Sequence, residues 1–282
     1  MTRTTQGVNG PSRHIMPAME PTPHPRNTSF AWTAPPGPPR LITPAQAASW
    51  NDSGFFLLEQ AFDPAPLLTA IDPFEERTTA WLRKQEGGRV AISDAEAITF
   101  TVHLVKRSDT LRDFVKGPLF QGLAHDLVGS DVRLYWDQAV YKKPEPVREF
   151  PWHQDNGYTY IEPQQYLTCW CALTDATVGN GCPVVVPGLH RMGTLKHWMT
   201  PYGWQCVDDP TETVAVPAPA GSIVVFSSLT PHKTGANTTG ATRKAYIVQF
   251  APDGARVVTD DGATPCDDPD RQFPVLRDGA PA

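Results

Sequence analysis

GSIVVFSSLTPHKTGANTTGATRKAYIVQF, residues 221–250, holds two apolar runs joined by a polar segment. Both runs are short and rich in β-branched and aromatic residues, the signature of buried strands. His232 follows the first run, and Thr234, Gly235 and Asn237 suit a tight turn or a strand edge beside a ligand. Arg243 comes 11 positions after His232, at the start of the second run. On one straight strand an odd separation would put the two on opposite faces. The segment NTTGAT intervenes, so the chain can fold back and aim both side chains inward. A guanidinium entering a strand interior needs an anion. Either an acidic side chain supplies it as a structural salt bridge, or a small dicarboxylate does, chelating a metal at its other end.

Similar runs recur upstream: RLYWDQAVYKK from Arg133, YLTCWCALTD from Tyr166, CPVVVPG from Cys182 and TETVAVPA from Thr211. With the two runs above they predict an all-β sandwich or barrel core. The first half reads differently. TPAQAASWNDSG from Thr43 has a capping Thr, a Pro at the first helical position and a Gly past the end. GFFLLEQAF then reads as a buried strand. LLTAIDPFEERTTAWLRK from Leu67 reads as helix with a break at Pro73. EGGRVAISDAEA is a turn-rich connection, and AITFTVHLVK is strand-like. SDTLRDFVKGPLFQGLAHDLVG from Ser108 is helix interrupted at Gly-Pro. These helices are expected outside the barrel. Residues 1–42 are Pro-rich and aperiodic, a flexible or draped arm, which leaves residues 43–282 as the folded domain. The tail from Asp260 reads as acidic and irregular.

The chain has 282 residues and a net charge of −6, with a pI near 5.7. No basic stripe appears, which argues against nucleic acid as a partner. No apolar run reaches signal-peptide or membrane-span length, so a soluble, cytoplasmic protein without a membrane partner is expected. Five cysteines, an odd number, argue against a disulfide framework. Cys169 and Cys171 would share one strand face, and buried thiols explain them better than a soft-metal site. Nothing in the sequence sets an oligomeric state.

The stretch FPWHQDNGYTY, residues 150–160, carries His153 and Asp155 among aromatic residues. In extended backbone positions i and i+2 face the same side, so the two could reach one metal. A third ligand must come from a strand adjacent in space, and His232 is the candidate. Two His and one carboxylate leave coordination positions open, which favours Fe(II) oxygenase chemistry. Trp152, Asn156, Tyr158 and Tyr160 flank the ligands and could wall a substrate, or could equally be core packing.

Taken in order, these pieces resemble the phytanoyl-CoA dioxygenase family of Fe(II)/2-oxoglutarate-dependent oxygenases. The resemblance rests on GFFLLEQAF, on VRLYWDQAVYKKP leading into PWHQDNGY, on LTCWCALTDATVGNGCPVVVPGLH and on PHKTGANTTGATRKA. It implies a mainly β fold, a double-stranded β-helix or jelly-roll barrel with flanking α-helices. His153, Asp155 and His232 resemble the iron ligands. Arg243 resembles the residue that pairs with the distal carboxylate of 2-oxoglutarate, and Thr234 a hydroxyl supporting it. Trp170 and Gln138 fall where the cosubstrate pocket is lined. Leu189 in PGLH stands where the family more often has a small hydroxyl residue. The implied reaction consumes O2 and 2-oxoglutarate, releases succinate and CO2, and oxidises, most simply hydroxylates, a small organic substrate. Asp155 occupies the position a halide would need, so halogenation is disfavoured. The alternatives are a jelly-roll binding protein, or a metal-dependent enzyme on the same barrel that does not use 2-oxoglutarate.

Overall fold

The computed structural model describes residues 20–35, 37–145 and 147–282. Its helices are α1 (Pro44–Ser53), α2 (Ala65–Leu82), α3 (Asp109–Val115) and α4 (Pro118–Leu127). Its principal strands are β1 (Phe55–Leu58), β2 (Ile98–Val102), β3 (Val132–Lys142), β4 (Phe150–His153) and β5 (Leu167–Ala172). They continue with β6 (Pro183–Val185), β7 (Val214–Ala215), β8 (Ile223–Ser227), β9 (His232–Thr234) and β10 (Arg243–Pro252).

Two antiparallel sheets form the barrel. The larger runs β1-β8-β5-β10-β3-β2, and the smaller runs β7-β6-β9-β4. Alternation along the central strands sends side chains two ways. Trp170, Val224, Phe226, Ala245 and Ile247 meet Phe150 and Val185 of the smaller sheet in the space between sheets. Cys169, Cys171, Val225, Tyr246 and Val248 face outward, into a second core shared with Leu67, Ile71, Leu111, Phe120 and Leu123 of the helices. Burial on both faces is why these strands read as continuous apolar runs rather than alternating ones. The fold is a double-stranded β-helix with flanking helices, as the strand pattern predicts. Cys169 and Cys171 share the helix-facing side as buried thiols.

The helix ends follow their caps. Thr43 Oγ1 accepts from Gln46 N at 3.2 Å, Gln46 Oε1 accepts from Thr43 N at 2.9 Å, and Gly54 closes α1 at φ 82°. The expected break at Pro73 does not occur; α2 runs through it. An interior Pro costs about 3 kcal/mol. Burying Leu67, Ile71 and Leu82 on one face offsets that at roughly 1.5–3 kcal/mol each. The Gly-Pro interruption does fall between α3 and α4, with Gly117 as cap.

One other reading needs correction. The tail is not irregular: Arg256–Thr259 and Gly262–Pro265 form a hairpin, and Pro274–Arg277 pairs with β3. Buried Cys266, Phe273, Val275 and Leu276 anchor it, and they are too few and too scattered to show a period. A hairpin of Trp198–Thr200 with Gly203–Gln205 also lies in a stretch with no strand reading. The first part of the arm, residues 1–19, lies outside the described residues. The rest is draped along the barrel. His24 N donates to Thr194 O, Trp32 Nε1 donates to Asn51 Oδ1 at 3.0 Å, and Ile42 joins the helix-facing core.

Candidate active site

The smaller sheet builds a cluster that could hold a metal ion. β4 and β9 pair antiparallel with His153 opposite His232, so the two imidazoles stand side by side at 4.1 Å between centroids. β4 ends at His153, and Asp155 opens a short 3-10 turn. Gln154 between them is extended, which keeps positions 153 and 155 on one side. Its buried carboxamide locks this bend, donating to Gly193 O and Leu229 O and accepting from Leu195 N. Asp155 Oδ1 lies 3.9 Å from His153 Nε2 and 3.8 Å from His232 Nε2. One ligand atom from each residue lies within 4.8 Å of the others.

The protonation pattern suits a cation. His153 Nδ1 lies 2.9 Å from Pro151 O and His232 Nδ1 lies 3.0 Å from Thr230 O. A carbonyl only accepts, so each Nδ1 carries the proton and each Nε2 offers a lone pair. Burial foremost pushes the His153 imidazole down to about 3 and His232 down to about 4, so both are neutral ligands near neutral pH. Burial likewise pushes the Asp155 carboxyl up, a cost that a bound cation would relieve. Asp155 Oδ2 accepts from Thr168 Oγ1 at 2.6 Å, which fixes the carboxylate with Oδ1 toward the imidazoles. Two imidazoles and a carboxylate on one side, with the other side open, is a donor set that fits Fe(II).

A cavity of about 60 Å³ starts at the three ligands and runs between the sheets, walled by Gln138, Trp170, Thr234 and Ile247 among others. Arg243 is not itself a wall; its guanidinium lies over the Trp170 ring at 5.1 Å. Arg243 is 1% exposed, and its Nε, Nη1 and Nη2 are all buried without a hydrogen-bond partner among the described residues. The salt-bridge alternative therefore has no acidic partner. Burial pushes the guanidinium down to about 10, so it remains a cation. Lys142, its cross-strand neighbour, is a second buried basic group. Burial first, and the Arg243 charge next, push that amine down to about 7, and Nζ lies 3.4 Å from Thr234 O. A buried, unpaired cation beside the cavity calls for an anion there.

A larger cavity of about 540 Å³ opens on the other side of the ligands and shares His153, Asp155, Gln138, Phe100 and Phe150 with the first. The phytanoyl-CoA dioxygenase family model matches residues 50–245, which takes in both cavities' shared walls, all three candidate ligands and Arg243. The chain belongs to the phytanoyl-CoA dioxygenase family. It is 27% identical over 166 residues to a phytanoyl-CoA dioxygenase of Arabidopsis thaliana, covering 56% of this chain and 59% of that protein. It is also 27% identical over 216 residues to the ectoine dioxygenase of Bordetella bronchiseptica, covering 68% and 70%. Among solved structures it resembles the non-heme alpha-ketoglutarate-dependent carbocyclase SnoK from nogalamycin biosynthesis, with TM-score 0.62 and 23% identity over 78% of this chain and 90% of that one. The chain spans little more than half the length of the first curated relatives it matches.

Within this family frame the flanking aromatics divide. Tyr158 lines the large cavity, its ring edge-on to His153 at 5.2 Å. Trp152, Asn156 and Tyr160 line neither cavity and follow the packing alternative instead. Trp152 is one residue from His153 and so faces the opposite side, against Val186, Leu195 and Cys206. Asn156 holds the turn, donating to Thr194 Oγ1 at 2.7 Å and accepting from Ile161 N. Tyr160 stacks on His24 and donates to Glu162 at 2.8 Å. Sequence reading missed Thr168 and Gln249, which pair across β5 and β10 on the inward face. Strict alternation back from Trp170 and onward from Arg243 reaches both. It also missed Lys142, which alternation from Gln138 reaches. No such signal marks Trp81 of α2 or Ile92, which close the large cavity from elements remote in sequence.

Proposed function

We propose that this chain is an Fe(II)- and 2-oxoglutarate-dependent oxygenase that oxidises, most simply by hydroxylation, a small organic molecule. The observation that carries the reading is Arg243, a buried cation with no protein anion, beside a cavity that begins at two imidazoles and a carboxylate. His153 Nε2, His232 Nε2 and Asp155 Oδ1 would hold the iron. Arg243, with Thr234 beside it, would take the distal carboxylate of 2-oxoglutarate, and Trp170 and Gln138 would wall the cosubstrate. Together the bound iron and 2-oxoglutarate supply O2 activation, the cosubstrate leaving as succinate and CO2.

The chain's own contribution is placement. The Nδ1–carbonyl bonds keep both imidazoles turned to the metal, and Thr168 keeps Asp155 from rotating away. The guanidinium fork sets the cosubstrate's direction, which leaves the large cavity for the substrate. The relatives' names span different substrates, so family membership does not choose one. Among the described residues no helix is long and apolar enough to cross a membrane. The test is succinate release from 2-oxoglutarate by the iron-loaded protein under air. It should need both iron and 2-oxoglutarate, and it should vanish in Asp155→Ala while the fold, read by circular dichroism, persists. Full release in Asp155→Ala would overturn the reading.

A further inference from the structure

The large cavity carries information about the substrate that the metal ligands do not. It is assigned to the substrate because it opens onto those ligands, so the inference rests on the oxygenase reading. At about 540 Å³ it is in the range that encloses a drug-sized molecule. Its walls are mostly aromatic or aliphatic: Trp81, Ile92, Phe100, Val102, Tyr135 and Trp136 exemplify them. Apart from the metal ligand Asp155, no charged side chain of the described residues lines it. A phosphate, carboxylate or ammonium group held there would lose water and gain no counter-charge. The rim is apolar as well. Trp81 at 51% exposure and Val90 at 40% stand at the edge of the cavity, where a soluble protein would ordinarily place polar residues.

Most polar groups in the walls are spent within the protein, the Tyr135 hydroxyl on Thr159 among them. Ser93 Oγ accepts from Phe100 N at 3.2 Å, Thr78 Oγ1 donates to Phe74 O at 3.1 Å, and Gln249 Nε2 donates to Thr168. Two donors remain near the ligands. Gln138 Oε1 is taken by the Trp136 indole N–H at 3.1 Å, which leaves its NH2 group. The Tyr166 hydroxyl has no hydrogen-bond partner among the described residues. Both belong to residues that line the cavity together with His153 and Asp155. A carbonyl or hydroxyl oxygen on the ligand would satisfy them, and a hydrocarbon would leave them bare.

We propose that the substrate is an uncharged, largely apolar, ring-bearing molecule that presents a carbonyl or hydroxyl oxygen to Tyr166 and Gln138 beside the candidate metal ligands. Flat rings match the aromatic walls, and a neutral acceptor matches the two donors. Charged molecules of equal size are excluded by the missing counter-charge.

Calorimetric titration of the full chain tests this with rigid probes of one shape. 2-Acetylnaphthalene is neutral with an acceptor, 2-naphthoate is its anionic near-isostere, 2-(aminomethyl)naphthalene is cationic, and 2-ethylnaphthalene lacks the acceptor. Each is titrated into protein loaded with Fe(II) and 2-oxoglutarate without oxygen, and into protein without either. The ketone should bind about tenfold or more tightly than either charged probe in both states. Tyr166→Phe should weaken the ketone several-fold and leave 2-ethylnaphthalene unchanged, which a merely unfolded variant would not do. Equal or tighter binding of the naphthoate or the amine, or no binding of the ketone, would overturn the proposal. Probe-independent succinate release reports separately on the oxygenase reading, so either can fail alone.

Discussion

Replacing Arg243 with Met should make the ligand-free protein more stable while removing its response to 2-oxoglutarate. The guanidinium is buried with no partner on Nε, Nη1 or Nη2. A buried unpaired charge costs several kcal/mol. The Trp170 face at 5.1 Å returns up to about 2 kcal/mol of that. Met fills a similar space without charge and adapts to an irregular gap. The net gain should be roughly 1–3 kcal/mol, or ~2 °C of Tm per kcal/mol for a chain of this size. Cosubstrate reverses the order. A saturating ligand at a hundredfold its Kd adds about 2.7 kcal/mol to the wild type. The variant loses a bidentate pair of charge-assisted bonds at roughly 1.5–3 kcal/mol each, which weakens binding by about two to four powers of ten. Melting curves with and without 2-oxoglutarate, at fixed divalent metal, read both effects. A variant that melts below the wild type without ligand, and still gains from 2-oxoglutarate, would refute the reasoning.

Thr168→Val should leave the fold intact and weaken metal binding about 10–100-fold, because Asp155 Oδ2 loses its 2.6 Å donor; a metal titration monitored by calorimetry checks it. Arg243→Lys should recover only part of the 2-oxoglutarate affinity, since an ammonium cannot form the fork; the concentration dependence of succinate release reads this. Asp126 accepts from the backbone N–H groups of Arg40, Leu41 and Ile42. Burial pushes its carboxyl up, but those bonds and His125 outweigh it and hold the pKa below the usual value. Asp126→Ala should therefore cost about 2–4 kcal/mol at neutral pH. The stabilisation is present above the ordinary carboxylate pKa and lost as pH falls through the depressed folded value. Denaturant melts of both proteins should converge on acidification, and a pH-independent gap would count against this role.

Much of the barrel was legible because its central strands are buried on both faces. Ile223–Ser227 and Leu167–Ala172 have no solvent side, so they stand out as unbroken apolar runs. The clustering of the candidate ligands was legible for a local reason: an extended Gln154 preserves the two-residue period between His153 and Asp155. Nearness in sequence was a poor guide beyond that. Trp152 adjoins a ligand yet faces the opposite side, whereas Trp81, more than seventy residues away in the chain, closes the cavity. Pro73 shows propensity yielding to burial, since tertiary contacts of α2 outweigh the local cost. Lys142 and Thr168 carry no motif. Only the inward alternation of β3 and β5 marks them, and that face is known once the sheets are seen.

The most direct test is calorimetric titration of 2-oxoglutarate into the full chain, without oxygen, in the presence and absence of Fe(II). His153, Asp155 and His232 hold one end of the cavity and Arg243 stands by its Trp170 wall. One cosubstrate per chain should therefore bind, much more tightly with iron than without it. His232→Ala should lose the iron-dependent part, and Arg243→Met nearly all of it. Binding of equal strength with and without iron, or unchanged binding in either variant, would contradict a shared metal and cosubstrate site.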